Sequence, residues 1–203
     1  LIERLSGRTA IIDILSDETA RFAYRSAKTE LMTIAHQDDT YDRFYTETVL
    51  QKLSEAKKPL IAFTDYGELR NGKTVTRNPL LNVKRTMLLP LRPKLFQNSK
   101  FVRRRILSFG CPICCPSVTF VKENLPEQIF FPGFRSDEDW QAWELLSRRK
   151  GAFVYCNRIL MYHRIHDGSE TSAILGDSAR SSEDFQMFCR FWPKPIARLL
   201  TRA

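Results

Sequence analysis

Short apolar runs that each stop at a cluster of polar side chains constrain this chain most strongly. They lie at Thr9–Leu15, Leu31–Ala35, Leu60–Thr64 and Ala152–Tyr155. Runs of this length, bounded by polar residues, are typical of buried strands in α/β proteins. Because open α/β sheets place ligands beyond the carboxyl ends of their strands, the polar residues that follow such runs are candidates for a functional site.

The first candidate is the polar cluster His36–Thr40, which follows Leu31–Ala35 directly. Its carboxylates, Asp38 and Asp39, are ligands that Mg²⁺ and Mn²⁺ prefer, and these ions commonly share a substrate's phosphates in sites with one or two protein carboxylates. The pattern predicts a metal–diphosphate site. A solvated turn at the end of a strand is the alternative that the residues leave open.

The second candidate is the run of three acids at 137–139, which opens a predicted helix. Ser136 stands three residues before Asp139, as in a capping box, and Trp140, Trp143 and Leu146 then repeat at helical spacing. Acidic residues in a first helical turn often serve only as caps. Repulsion among three carboxylates also raises the proton affinity of at least one of them, which suits a general base.

A third polar cluster, His163–Ser169, follows two predicted extended stretches at Ala152–Tyr155 and Arg158–Tyr162. Its two imidazoles and its guanidinium group can supply a nitrogen ligand to a metal and a clamp for phosphate. A histidine held by structural hydrogen bonds is the alternative at such a strand end.

The motifs occur in the order Ala20–Ala27, His36–Asp39, Cys115–Phe120, Glu138–Trp140 and Tyr162–Ser169. In that order they resemble glycosyltransferase family 2, whose members are inverting enzymes with the GT-A fold. The resemblance covers most of the chain up to about Ser172. It implies an α/β fold with a mixed sheet and flanking helices, in a domain over residues 1–172 that is followed by a linker and helical tail over 173–203.

Relative to the family, the start of the chain is expected to lack the first strand and helix. Leu1–Leu5 resembles the middle of the family's nucleotide-binding region, and the strand-like Thr9–Leu15 is expected in the interior of a parallel sheet. The sequence therefore predicts an N-terminally incomplete domain.

The resemblance implies a role for each matching residue on the donor side. Asp38 aligns with the metal-binding carboxylate of the family's Asp-x-Asp element, His36 replaces that element's first carboxylate, and Asp39 is expected to share the metal or the sugar. His166 is implied as a third metal ligand or a diphosphate contact, and Arg164 as a counter-charge for phosphate.

On the acceptor side, the resemblance implies that Asp139 deprotonates the acceptor hydroxyl, with Glu138 in a positional role. The implied enzyme is a glycosyltransferase that depends on Mn²⁺ or Mg²⁺ and uses a nucleotide-sugar donor, a UDP-sugar first among them. The implied acceptor is a saccharide or a lipid-linked saccharide in bacterial surface polysaccharide synthesis, at the cytoplasmic face of the membrane.

The net charge of +9 is distributed unevenly, because no Asp or Glu occurs from Leu69 to Lys122. Cations, including the run Arg103–Arg105, alternate there with leucines and phenylalanines. A segment that is both basic and apolar predicts a surface that contacts an anionic membrane or a lipid-diphosphate acceptor. A solvated basic insertion is one alternative, and a nucleic-acid-binding module without catalysis is the competing function.

Composition and cysteine content fit a globular protein with reduced thiols. With 203 residues and 43% hydrophobic residues, the chain can bury a core without disulfides, and its five cysteines are an odd number. Cys111-x-x-Cys114 and His163-x-x-His166 are too far apart for a compact zinc finger. Reduced thiols indicate a cytosolic setting.

The end of the chain has a different composition. Residues Ser169–Ser182 are small and polar and predict a linker, whereas Phe185–Trp192 is rich in aromatic residues. Such a stripe either packs onto the core or contacts a membrane.

Overall fold

A computed structural model describes residues 9–14, 17–165 and 178–202. The expectations for Leu1–Leu5 and His166 lie outside these residues, and so does most of the predicted linker Ser169–Ser182. No helix in the described ranges has the length and apolar character needed to cross a bilayer.

The described strands form one mixed sheet. They are β1 (Thr9–Ile14), β2 (Leu31–His36), β3 (Thr40–Tyr41), β4 (Pro59–Arg70), β5 (Lys73–Val75), β6 (Val118–Val121) and β7 (Ala152–Ile165). Their order is β1-β2-β6-β4-β7-β3, with β5 paired to β4. β1 is parallel to β2 and β4 is parallel to β7, whereas β6 runs antiparallel to both of its neighbours.

Helices flank this sheet, so the fold is mixed α/β, as the sequence predicts. They are α1 (Asp17–Ser26), α2 (Tyr45–Ser54), α3 (Pro79–Leu88), α4 (Lys94–Gln97), α5 (Lys100–Leu107), α6 (Glu138–Ser147), α7 (Ser178–Cys189) and α8 (Lys194–Thr201). Two of them start at side-chain caps: Asn78 accepts a hydrogen bond from the N–H of Leu81 in α3, and Ser99 accepts one from Val102 in α5.

β4, near the centre of the sheet, and β2, next to its edge strand, are buried along most of their length. Every residue from Leu60 to Glu68 in β4 is buried, and so is Met32–Ala35 in β2. A strand enclosed by helices on both faces reads as a continuous apolar run instead of an alternating one, which is why these runs are visible in the sequence.

The predicted strand at Leu60–Thr64 and the turn at Asn71-Gly72 are confirmed. Asn71 has φ 50° and Gly72 has φ 75°, the positive values that a tight hairpin turn requires at both central residues. The turn joins β4 to β5, with Arg70 opposite Lys73.

Two strand predictions need correction. The stretches expected at Ala152–Tyr155 and Arg158–Tyr162 are a single strand, β7, because an irregularity in its pairing with β4 absorbs the polar residues between them. Within the run Thr9–Leu15, the described residues Thr9–Ile14 form a strand parallel to β2, but in the described sheet this strand lies at the edge and not in the interior.

The aromatic tail packs onto the core. Met187 and Phe188 in α7 and Ala197 in α8 are buried, and the ring of Phe188 lies 5.1 Å from that of Trp140 in an edge-on contact. The predicted linker ends earlier than expected, because α7 begins at Ser178.

The basic segment is not uniformly a surface. Arg103 is 0% exposed, donates hydrogen bonds to the carbonyls of Arg149 and Gly151, and lies over the ring of Phe153 at 5.0 Å. Burial lowers the pKa of Arg103 to about 10, so it stays charged near neutral pH. Its partners are backbone carbonyls at the end of the α6 region, and this part of the predicted surface is therefore internal structure.

Candidate functional site

The pairing of β3 with β7 brings the first and third polar clusters together. Thr40 lies opposite Tyr162, which places the preceding Asp39 beside His163. Oδ1 of Asp39 lies 2.8 Å from Nδ1 of His163 and accepts a hydrogen bond from the backbone N–H of Arg164 at 2.9 Å. A strand register of this kind connects residues more than 120 positions apart.

The second oxygen of Asp39 is the unusual atom of the site. The Asp39 side chain is 0% exposed, and Oδ2 has no hydrogen-bond donor within the described part of the chain. It lies 3.6 Å from Nδ1 of His36, which is beyond hydrogen-bond distance. A buried carboxylate oxygen without a donor costs free energy, and a cation is the partner that such an oxygen lacks.

His36 does not supply that cation near neutral pH. Burial lowers the pKa of His36, and the nearby carboxylate of Asp39 only partly opposes this. The proximity of the two side chains is therefore not an ion pair at pH 7. A neutral imidazole is the form that ligates metals.

Ligand atoms of His36, Asp39 and His163 all lie within 4.8 Å of one another. A metal bound at about 2.0–2.2 Å from nitrogen and oxygen ligands holds neighbouring ligands roughly 3–4 Å apart, so this cluster fits a single ion. Two imidazoles and one carboxylate favour a first-row transition ion such as Mn²⁺ over Mg²⁺, which prefers oxygen ligands throughout.

Two other residues predicted from the sequence lie beside this cluster. Nε of Arg164 donates to the backbone carbonyl of Asp38 at 2.8 Å, so Arg164 braces the turn that carries both carboxylates. The charge of Asp38 raises the proton affinity of His36. The roles of Asp38 as a metal ligand and of Arg164 as a phosphate clamp stay predictions, as does that of His166.

Asp139 occupies the first turn of α6 with its carboxylate buried against the loop around Cys111. Oδ1 accepts a hydrogen bond from the N–H of Trp140 at 2.6 Å, and Oδ2 accepts one from the thiol of Cys111 at 3.6 Å. Burial raises the pKa of Asp139, while the ammonium group of Lys84 opposes that rise. A carboxylate with an increased proton affinity is suited to accept a proton.

The two acidic motifs converge although Asp39 and Asp139 lie 100 positions apart in the sequence. The charge of Asp139 acts on His36, and the thiol of Cys114 experiences both carboxylates. Burial, reinforced by these charges, raises the pKa of the Cys114 thiol, so it stays protonated. Asp139 therefore lies within electrostatic range of the histidine–aspartate cluster, although the cluster of possible metal ligands does not include it.

Two tyrosines fix the loop that lies between the motifs. The hydroxyl of Tyr41 donates to the carbonyl of Pro116 at 2.7 Å, and that of Tyr45 donates to the carbonyl of Ser117 at 3.1 Å.

The described cysteines are all free thiols, and none belongs to the cluster of His36, Asp39 and His163.

The sequence pattern assigns no individual role to Lys84. Its ammonium group donates to the hydroxyl of Tyr66 at 3.0 Å, and it acts electrostatically on Asp139 and on the thiols of Cys111 and Cys114. The lysine is one cation among many in a basic segment, and only the packing of α3 against the sheet distinguishes it.

The predicted capping box at Ser136 is wrong. The Ser136 hydroxyl donates to Glu183 of α7 at 2.7 Å, and the N-cap residue of α6 is Asp137, which makes no capping hydrogen bond through its side chain. Glu183 also accepts hydrogen bonds from the backbone N–H groups of Arg135, Ser136 and Asp137, at 2.9, 2.8 and 3.1 Å. A carboxylate from the tail thus anchors the loop that leads into Asp139.

A cavity of about 220 Å³ lies away from this cluster. It is lined by Lys52 of α2 and Lys94 of α4, by Lys57 and Arg92 in the connections next to these helices, and by the first half of β7, including Tyr155. None of the predicted site residues in the described part of the chain lines it.

No protein-family model and no curated protein sequence matches the chain. The ordered motifs and the geometry of the site are therefore the support for a function.

Proposed function

We propose that this chain is the catalytic core of an inverting glycosyltransferase with a GT-A fold, which transfers a sugar from a nucleotide-diphospho-sugar. The observation that carries the proposal is the cluster of His36, Asp39 and His163, whose ligand atoms lie within 4.8 Å of one another, with Asp139 in electrostatic range of His36. An inverting displacement needs a charged site for the leaving diphosphate and a base on the acceptor side, and these groups have the required chemistry.

In this proposal, His36, Asp39 and His163 hold the metal ion. Their described geometry leaves one buried oxygen of Asp39 without a donor, which fits that role. When bound, the ion supplies positive charge that stabilises the departing diphosphate. Arg164 keeps the turn in place through the carbonyl of Asp38.

Asp139 acts as the general base. The Trp140 amide and the Cys111 thiol orient its carboxylate, and burial raises its pKa, which increases its strength as a proton acceptor. It takes the proton from the acceptor hydroxyl as that oxygen attacks the anomeric carbon. Glu138, the first residue of α6, is proposed to position the acceptor.

The donor is proposed to be a UDP-sugar and the acceptor a saccharide or a lipid-linked saccharide of a bacterial surface polysaccharide, at the cytoplasmic face of the membrane. The competing function, a nucleic-acid-binding module, draws on the basic segment. Its support is weaker because Arg103 is buried and Arg104 pairs with Glu144 at 2.5 Å. Neither cation is available for phosphate backbones.

Release of nucleoside diphosphate from a panel of UDP-, GDP- and dTDP-sugars tests the proposal. We expect release from one donor class that requires Mn²⁺ or Mg²⁺ and stops with EDTA. Direct Mn²⁺ binding, measured by electron paramagnetic resonance, should be lost in Asp39→Asn. Release that is indifferent to EDTA, or unchanged Mn²⁺ binding in this variant, would contradict the metal site.

A further inference from the structure

Exposed apolar side chains are concentrated in two stretches of the chain. Seven of the twelve large hydrophobic side chains that are exposed among the described residues belong to 80–109, and two more, Ile196 and Leu199, belong to α8. Phe101 is 71% exposed and Leu199 is 70% exposed. Single exposed apolar residues are ordinary, but a grouped set indicates a contact surface.

Side-chain contacts join α5 to the tail in a continuous ridge. The guanidinium of Arg105 lies 5.7 Å from the ring of Phe101 and 4.8 Å from that of Trp192. The ring of Trp192 lies 5.5 Å from that of Phe109, and its indole N–H donates to the carbonyl of Ser108 at 2.7 Å. Phe101, Arg105, Phe109 and Trp192, together with the exposed Ile196 and Leu199 of α8, which begins two residues after Trp192, are named here the apolar–basic ridge.

The ridge is formed where two acid-free stretches of the sequence meet. No Asp or Glu occurs from Leu69 to Lys122 or from Phe185 to Ala203. Arg103 and Arg104 are used internally, but Lys100 and Arg105 on α5 are exposed, as are Lys194, Arg198 and Arg202 at α8. Folding thus leaves positive charge beside the exposed aromatic and aliphatic side chains.

We propose that the apolar–basic ridge docks on the surface of an anionic lipid bilayer. Protein interfaces concentrate apolar residues at their centre and are depleted of lysine, whereas here cations alternate with phenylalanine, tryptophan and leucine. That alternation suits a bilayer surface, where aromatic and aliphatic groups enter the headgroup region and cations contact anionic headgroups. Charge complementarity therefore favours lipid over a protein partner.

The ridge also adjoins the candidate site. Phe109 lies two residues before Cys111, whose thiol contacts Asp139. A bilayer on the ridge would lie beside the catalytic carboxylate, which suits an acceptor anchored in that bilayer. This last step rests on the proposed glycosyltransferase function, whereas docking itself does not.

Sedimentation with vesicles tests the docking. The intact chain should bind vesicles of phosphatidylglycerol and phosphatidylcholine at low salt and bind pure phosphatidylcholine weakly. Each cation removed from an anionic bilayer surface lowers the partition coefficient roughly fivefold, so Arg105→Gln with Arg198→Gln should lower it roughly 25-fold. Phe101→Ser with Leu199→Ser should also weaken binding, with the dependence on salt unchanged.

Phe22→Ser with Arg25→Gln is the matched control, since Phe22 is 70% exposed and Arg25 is exposed on α1, outside both acid-free stretches. Vesicle binding that is absent in the parent, equal in the ridge variants, or lost equally in the control would overturn the proposal. Loss of RNA or DNA binding in its place would assign the ridge to nucleic acid. Diphosphate release from the donor should persist in the ridge variants. If neither the parent nor any variant releases diphosphate, but the ridge variants still bind vesicles less than the parent does, the glycosyltransferase proposal fails and the docking surface stands.

Discussion

The carboxylate of Asp139 is held by one backbone amide and one thiol, in surroundings that raise its pKa. If this group is the base, Asp139→Asn should lower the transfer rate about 10²- to 10⁴-fold while donor binding stays near the parent value. Steady-state kinetics with separate donor-binding measurements check this.

The pH dependence follows from the same environment. A base works when it is deprotonated, so transfer should fall as the pH drops through a pKa above the ordinary aspartate value of about 4. Glu138→Gln is the matched control and should cost less. Equal losses in the two variants, or near-normal turnover in Asp139→Asn, would remove Asp139 from the proposed role.

The structure distinguishes the neighbouring carboxylates of Asp38 and Asp39, which the sequence alone does not. Asp39 has a buried oxygen between two histidines, whereas the geometric cluster does not include Asp38. We expect Asp39→Asn to weaken Mn²⁺ binding by at least the roughly 10- to 100-fold typical of residues that support a metal site, and Asp38→Asn to weaken it less.

Isothermal titration with Mn²⁺ measures both variants. Because burial lowers the pKa of His36, this imidazole should stay neutral, the form that ligates metals, below the ordinary histidine pKa of about 6.5. If Asp38→Asn weakens Mn²⁺ binding more than Asp39→Asn does, the metal ligand is Asp38 and not Asp39.

At the scale of elements, a side chain of α7 fixes the loop that leads into α6. Glu183 accepts hydrogen bonds from three successive backbone amides, from Arg135 to Asp137. Glu183→Ala leaves these amides without their acceptor, so we expect a loss of about 1–3 kcal/mol in the free energy of unfolding and a decrease in turnover through displacement of Asp139. Urea denaturation measures the first effect. Gln186→Ala, on the exposed face of the same helix, should leave stability within experimental error.

Two carboxyl groups at this junction respond oppositely to pH. Burial acts to raise the pKa of Glu183, but hydrogen bonds from the backbone of Arg135 and Ser136 outweigh it and lower that pKa. Burial, with the adjacent charges of Asp184, Asp139 and Glu183, raises the pKa of Asp137 to about 8. Glu183 therefore stabilises the fold at neutral pH and loses that contribution as the pH falls through its lowered pKa.

The contribution of Asp137 to stability changes with pH in the opposite direction to that of Glu183. Its stabilising contribution is complete below its unfolded pKa of about 4 and is lost as the pH rises through about 8. Asp137→Asn should therefore raise the melting temperature at pH 8, and the difference from the parent should shrink toward pH 4. Thermal melts across that window, with Glu127→Gln as an exposed control, decide the matter. A difference that is constant with pH would contradict the assignment.

Elements set by local sequence were predictable, and those set by distant partners were not. The strand at Leu31, the turn at Asn71-Gly72 and the helix through Trp140 carry local signals of burial, backbone conformation and periodicity. The capping box failed because Ser136 is bound by Glu183, 47 positions away. The same limit applies in the site, where His163 joins Asp39 only through the register of β3 on β7.

At the scale of the whole molecule, some charged side chains form ion pairs within the fold and others face solvent. Glu144 alone pairs with Arg104, Arg148 and Arg190, which ties α5, α6 and the end of α7 together. Arg85 of α3 lies 3.5 Å from Asp65 in the middle of β4. The count of 32 lysines and arginines therefore overstates the cations that face solvent, and only the remaining exposed cations are available to contact anions.

The position of β4 at the middle of the sheet affects how the chain folds. Its partners β6 and β7 lie much later in the sequence, and the long parallel pairing with β7 is complete only when Ile165 has been synthesised. Until then, the apolar strand Leu60–Glu68 has open edges, the condition under which nascent chains associate wrongly. Because pairings between distant segments close slowly, we expect folding to be slow and to depend on protection of this strand during synthesis.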